Sequence, residues 1–127
     1  MTENEISRIL VGIFIKVHTS LGPGLLESVY ESAICFELST LNINYQRQAG
    51  IAVWYEGVRM DIGFRADIIV DNKVIIEIKS VEAVNPVVFK TLLTYLRLTN
   101  KKLGLLANFN VVLMKNGITR IANNLDT

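Results

Sequence analysis

Two acids and an amine lie close together in the segment Phe64-Arg65-Ala66-Asp67-Ile68-Ile69-Val70, Asp71-Asn72-Lys73, Val74-Ile75-Ile76-Glu77-Ile78-Lys79-Ser80. The outer runs suit β-strands and the middle triplet suits a turn. A hairpin centred on Asn72 sets Asp67 opposite Glu77, and directly opposed residues project from one face. Lys79, two residues beyond Glu77, shares that face. Burying two neighbouring carboxylates costs roughly several kcal/mol of desolvation unless something compensates them. A divalent cation does so. Mg²⁺ takes hard oxygen ligands, keeps several waters, and needs one or two carboxylates plus phosphate oxygens. Such an ion activates water and neutralises phosphoryl charge, so phosphodiester hydrolysis needs no Ser or Cys nucleophile. Lys79 then orients the water or stabilises charge on the phosphate. The bland alternative is a Glu77–Lys79 surface ion pair on an edge strand with Asp67 solvated beside it. The pattern D-x(9)-E-x-K is short, and spacing alone leaves both readings open.

The elements that must position these residues are legible from periodicity. Thr2 and Glu5 form a capping box, and Ile6, Leu10, Ile13, Phe14 and Val17 recur at helical spacing over residues 3–20. Gly22-Pro23-Gly24 ends that helix. A second runs from about Leu25 to Leu41, with Leu26, Val29, Tyr30, Ala33, Ile34 and Leu38 as its apolar positions. Residues 44–55 suit a strand, with Trp54 and Tyr55 packed on the sheet. Glu56-Gly57 is a hairpin turn, and Val58 to Val70 is a second strand bent near Gly63. Val74 to Ser80 has the near-continuous apolar lining of a central strand. Pro86 opens a helix to about Thr99, bearing Val88, Leu92, Tyr95 and Leu96 on one side. Leu103 to Phe109 is another strand. Val111 to Met114 and Ile118 to Ile121 read as a terminal hairpin around Asn116-Gly117. Residues 1–127 are read as one domain of class α+β: the order ααβββαβ, then one or two short strands, implies a mixed central sheet flanked by helices.

The N-terminal half bears on the choice between the two readings. Gly24-Leu25-Leu26-Glu27-Ser28-Val29-Tyr30 reads G-x-x-E-x-x-Y, with Glu27 and Tyr30 on one side of a helix. Together with Tyr45 to Gln48, Gly63 to Val70, Val74 to Ser80 and Leu92 to Thr99, it resembles the GxxExxY family, a branch of the PD-(D/E)XK nuclease superfamily. The resemblance runs from about Ile6 to Ile121. It implies a restriction-endonuclease-like αβββαβ core and an Mg²⁺- or Mn²⁺-dependent site that hydrolyses nucleic acid, DNA before RNA. By motif, Glu27 carries over as the helix-borne catalytic and metal-binding carboxylate, Asp67 as the first sheet carboxylate, and Glu77 with Lys79 as the E-x-K pair. Tyr30 reads as a packing residue with a polar tip. One position departs from the pattern. Related sequences carry a glutamine four residues before the tyrosine on the helix after E-x-K, where this chain has Thr91 before Tyr95. Thr91 reaches less far toward nucleic acid or water, which leaves room for a binding module of the same fold with little turnover.

Composition sets the remaining bounds. The net charge of +1 means that nucleic acid must be met by local basic groups. Arg47 and Arg65 are candidate phosphate contacts, as planar donors that acids nearby equally attract. One Cys and one His exclude an intramolecular disulfide and make zinc a poor choice; Cys35 and His18 read as packing residues. The run Ile9 to Ile15 is too short to span a bilayer and lacks a signal-peptide cleavage pattern, so the expectation is a cytoplasmic protein without membrane partners. No glycine-rich phosphate loop is present. A mean hydropathy of +0.36, high for so small a domain, points to a homodimer.

Overall fold

A computed structural model describes residues 1–125, the side chain of Ile62 aside; the last two residues lie outside the described ones. The helices α1 (Glu3–Leu21) and α2 (Glu27–Thr40) precede β1 (Tyr45–Tyr55), β2 (Val58–Val70) and β3 (Val74–Lys79). Then come α3 (Val87–Thr99), β4 (Leu103–Asn108), a 3₁₀ turn (Met114–Gly117) and β5 (Ile118–Ala122). The strands form one five-stranded sheet in chain order, antiparallel except for the β3–β4 pair. That pair is parallel because α3 crosses over between its strands. β3 is therefore central, with β2 on one side and β4 on the other.

Helices cover both faces of the sheet. Ile6, Leu10, Ile13, Phe14 and Val17 of α1, and Tyr30, Ile34 and Leu38 of α2, pack with Ile68, Val70, Val74, Ile76 and Ile78. On the other face Leu92 and Leu96 of α3 pack with Ile69, Ile75 and Leu106. Each such buried side chain contributes about 1.5–3 kcal/mol from apolar transfer. Gly104 of β4 admits α3 closely: a Cβ there would lie 2.9 Å from Leu92. Helix α1 starts as its sequence says, with Thr2 Oγ1 accepting the Glu5 N–H at 3.2 Å. Asn100, at φ +53°, closes α3 in the left-handed conformation.

Three expectations are corrected. Val111 to Met114 forms no strand, and β5 pairs with β4 instead of with a hairpin partner. Met114 is drawn into the core, and Gly117 lies against the Asn108 carbonyl, where a Cβ would come within 2.1 Å. Leu26 and Val29 face solvent, because α2 buries the stripe Tyr30, Ile34, Leu38 at intervals of four and leaves its first turn outside. Trp54 and Tyr55 are also exposed, since β1 and β2 run on as a hairpin beyond the three β2–β3 pairs.

Candidate active site

The site arises where β2 and β3 part. They pair at Val70–Val74, Ile69–Ile75 and Ile68–Ile76, and no further. β3 continues alongside β4 to the pair Lys79–Asn108. Asp67 is the first residue beyond the last β2–β3 pair, and its side chain replaces the missing ladder bond: Oδ2 accepts the Ile78 N–H at 2.8 Å. Glu77 falls opposite Asp67 by continuation of the register, as the turn geometry predicts.

Both acids are half-buried. Burial pushes the Glu77 carboxyl up to about 8, and the charge of Asp67 pushes the same way. Burial also raises Asp67, opposed by the Ile78 hydrogen bond and assisted by the charges of Glu31 and Glu27. Glu77 Oε1 is buried with no hydrogen-bond partner among the described residues. Lys79 is half-buried and makes no ion pair there; the pairs present are Lys16–Glu37 and Arg47–Glu31. A surface Glu77–Lys79 pair on an edge strand is thus excluded on both counts, because β3 is central and the two groups do not pair.

Glu27, at the exposed start of α2, is tied to the end of β3. Its Oε2 accepts the Ser80 N–H at 3.2 Å, and Ser80 Oγ donates to the Leu25 carbonyl at 2.6 Å. A groove of about 550 Å³ lies here, lined in part by Glu27, Ser28, Ser80 and Asn110. Among the described residues no three His, Cys, Asp or Glu side chains gather to hold one ion, so Glu27 does not close a ligand set with Asp67 and Glu77. Tyr30 is fully buried, stacked 4.3 Å from Phe109, with its hydroxyl donating to the Gly22 carbonyl at 2.6 Å and accepting the Leu25 N–H at 3.1 Å. It shapes the loop that delivers Glu27.

The remaining candidates divide. Arg47 is engaged, with Nε donating to Glu31 Oε2 at 2.6 Å and Nη2 to Ser32 Oγ at 2.8 Å. Arg65 is exposed, and its nearest acceptor is the Gln48 carbonyl at 3.4 Å. The Thr91 hydroxyl donates back to the Val87 carbonyl at 2.9 Å. Tyr95 stacks on Phe64 with centroids 3.6 Å apart, and its phenol is raised by burial and by the charges of Glu77 and Asp67, which places it at the site. His18 and Cys35 are buried packing residues.

Sequence reasoning missed Glu31 and Gln48. Glu31 is only 7% exposed, and Gln48 Nε2 donates to Glu31 Oε1 at 2.6 Å and toward Asp67 Oδ1 at 3.4 Å. Glu31 sits one turn after Glu27, and an acid on the buried stripe of α2 was the available signal.

This geometry meets an independent finding: residues 4–121 match the family model of the PD-(D/E)XK nuclease superfamily. The chain belongs to that superfamily. Comparisons with curated proteins and with solved structures gave no match. The sheet and its flanking helices are those of a restriction-endonuclease-like nuclease fold. PD-(D/E)XK nucleases generally use divalent metals such as Mg²⁺. The residues present fit one. Asp67 and Glu77 supply hard oxygen donors, and the orphaned Glu77 Oε1 is an acceptor without a partner, as a ligand awaiting a cation would be. Among the described residues no helix is long and apolar enough to cross a membrane.

Proposed function

We propose that this PD-(D/E)XK domain is a divalent-metal-dependent nuclease that hydrolyses phosphodiester bonds of nucleic acid, DNA before RNA, and that it falls in the GxxExxY branch. The observation that carries the reading is the half-buried Asp67–Glu77 pair, with one Glu77 oxygen unpartnered and Lys79 free of any ion pair among the described residues. Asp67 and Glu77 are the residues that would hold Mg²⁺ or Mn²⁺, with Glu27, held on the Ser80 N–H, as the helix-borne carboxylate of the same reading. Such an ion supplies a water of lowered pKa and neutralises phosphoryl charge. The protein's own groups do the rest. The Ile78 N–H fixes the rotation of Asp67. Lys79 offers three donors to a phosphoryl oxygen or the attacking water. Tyr95 closes the α3 side, and Arg65 is the exposed cation beside the cluster. Leu26, just before α2, and Val29 and Phe36 on it, all exposed, support a homodimer as part of the same reading.

Purified protein is incubated with linear, branched and single-stranded DNA and RNA, in Mg²⁺, in Mn²⁺ and in chelator. Metal-dependent cleavage is expected, lost by at least about 10²-fold in Asp67→Asn, Glu77→Gln and Lys79→Ala, with the fold retained by circular dichroism. Absence of cleavage on every substrate with either metal refutes turnover. One observation favours a second reading, a binding module with weak catalysis: the Thr91 hydroxyl is committed to its own helix and not offered to the substrate. Nucleic-acid retention without metal-dependent cleavage selects that reading.

A further inference from the structure

Gln48 holds a backbone conformation that residues with a Cβ avoid. It lies inside β1, between the paired positions Arg47–Ile68 and Ala49–Ala66, yet its φ is +51°. By count it stands opposite Asp67, in one row with Glu77 across three strands. The left-handed residue shifts the phase of the pleat. Tyr45 packs on the α1/α2 side, whereas Ala49 and Ile51, which a regular strand would put on that same face, pack on the α3 side. β2 shifts in step, with Phe64 and Ala66 on the α3 side and Ile68 and Val70 on the other. Asp67 sits at the shift and points along the gap between strands.

Into this gap Gln48 brings an amide with two protons. One carboxylate it meets is Glu31, at 2.6 Å, and the other is Asp67, at 3.4 Å. Glu31 is itself immobilised, buried and gripped by Arg47 at 2.6 Å through its other oxygen. A carboxylate at position 48 would repel both neighbours, and a hydroxyl has one proton where two are needed. Strained backbone of this kind persists where the surroundings over-determine it, and it collects at functional sites. We propose that Gln48 is a positioning residue for the metal-binding carboxylate of Asp67. Glu31 is its anchor, and Arg47 is the counter-charge that keeps Glu31 out of the ligand set. This inference rests on the nuclease reading above.

The test uses Mn²⁺ alone as ligand. Titration calorimetry is run on the wild type, Asp67→Asn, Gln48→Ala, Glu31→Gln and the Gln48→Ala/Glu31→Gln double variant, beside metal-free thermal melts of each. Loss of a group that orients a metal ligand weakens affinity about 10–100-fold. Gln48→Ala is expected to bind Mn²⁺ at least about tenfold more weakly, with cleavage falling in kcat at unchanged KM. The double variant is expected to be no more than about twofold worse than the weaker single variant, because the two residues act as one chain. A merely structural role predicts lowered melting temperatures with wild-type Mn²⁺ affinity. Should Gln48→Ala, whose side-chain loss leaves Arg47 and Glu31 paired, keep that affinity while Asp67→Asn loses it, the role of Gln48 is refuted and the nuclease reading stands. Should the wild type bind no Mn²⁺, both fall together.

Discussion

The upward displacement of the Glu77 carboxyl has a consequence for stability with a definite sign. The carboxyl is raised from the ordinary 4.5 to about 8 by burial and by Asp67. Between those values the folded chain holds a proton that the unfolded chain has released, so metal-free stability falls as pH rises. Stabilisation by the neutral acid is complete below about 4.5 and lost as pH passes through about 8. Asp67, also raised, adds in the same direction. The slope contributed by Glu77 is at most about 1.4 kcal/mol per pH unit, lessened by the residue's partial exposure. Urea denaturation of the chelated protein from pH 5 to pH 8 should show this decline. Glu77→Gln, which cannot ionise, should flatten it and be the more stable at pH 8. Parallel curves for the two proteins would refute a buried, proton-holding Glu77. Asp67, Glu77 and Lys79 were legible in the sequence because a turn at Asn72 fixes their relation by counting. Gln48 was not, because strand alternation assumes extended backbone throughout, and a left-handed residue breaks that count without any glycine to announce it.

Each helix was readable from periodicity, and the strands up to β4 from apolar runs and turn residues. The last strand was readable too, Ile118 to Ile121 falling in β5, but Val111 to Met114 was misjudged, because short apolar stretches around Asn116-Gly117 satisfy a hairpin pattern equally well. What decides against the hairpin is tertiary. Asn108, at the end of β4, uses its side chain as a backbone surrogate. Its amide donates to the Val81 carbonyl at 3.0 Å and its oxygen accepts the N–H groups of Val81 at 3.1 Å and Asn110 at 3.2 Å. Both the exit of β3 and the chain after β4 are thereby fixed, and Gly117 packs on the same residue's carbonyl. Asn108→Ala removes the partner of three backbone groups in a partly exposed turn, so a loss of about 1–2 kcal/mol is expected from urea unfolding. Gly117→Ala should cost about 1–3 kcal/mol, since the obstruction is backbone and cannot rotate away. Asn108 lies beside Lys79 in the register, so its variant should also lose cleavage activity beyond what its stability change explains. A change below about 0.5 kcal/mol in Asn108→Ala would show that water replaces these bonds.

A net charge of +1 gives the molecule no bulk attraction for polyanions, so the metal and phosphate affinity that the proposed function requires would have to be made locally, at the fork between β2 and β3. On the proposed reading that fork would couple metal binding, proton release and the stability of the whole chain. A cation can use Glu77 only after displacing its proton, so Mn²⁺ affinity should strengthen up to about tenfold per pH unit until the carboxyl's value of about 8 is reached. Binding to the folded chain alone stabilises it by RT ln(1 + [L]/Kd), about 2.7 kcal/mol at a concentration 100 times Kd. The same Mn²⁺ concentration at pH 6, where the proton competes roughly 50-fold better than at pH 8, leaves about 0.6 kcal/mol. Metal-free protein is therefore expected to lose stability between pH 6 and pH 8, while Mn²⁺ stabilises it far more at pH 8 than at pH 6. Thermal melts at the two pH values, with Mn²⁺ or chelator, read this directly, and Asp67→Asn should abolish the Mn²⁺ increment at both. An increment of equal size at pH 6 and pH 8 would mean that the ion binds away from Glu77. In that case the unpartnered oxygen at the centre of the sheet serves some purpose other than metal binding.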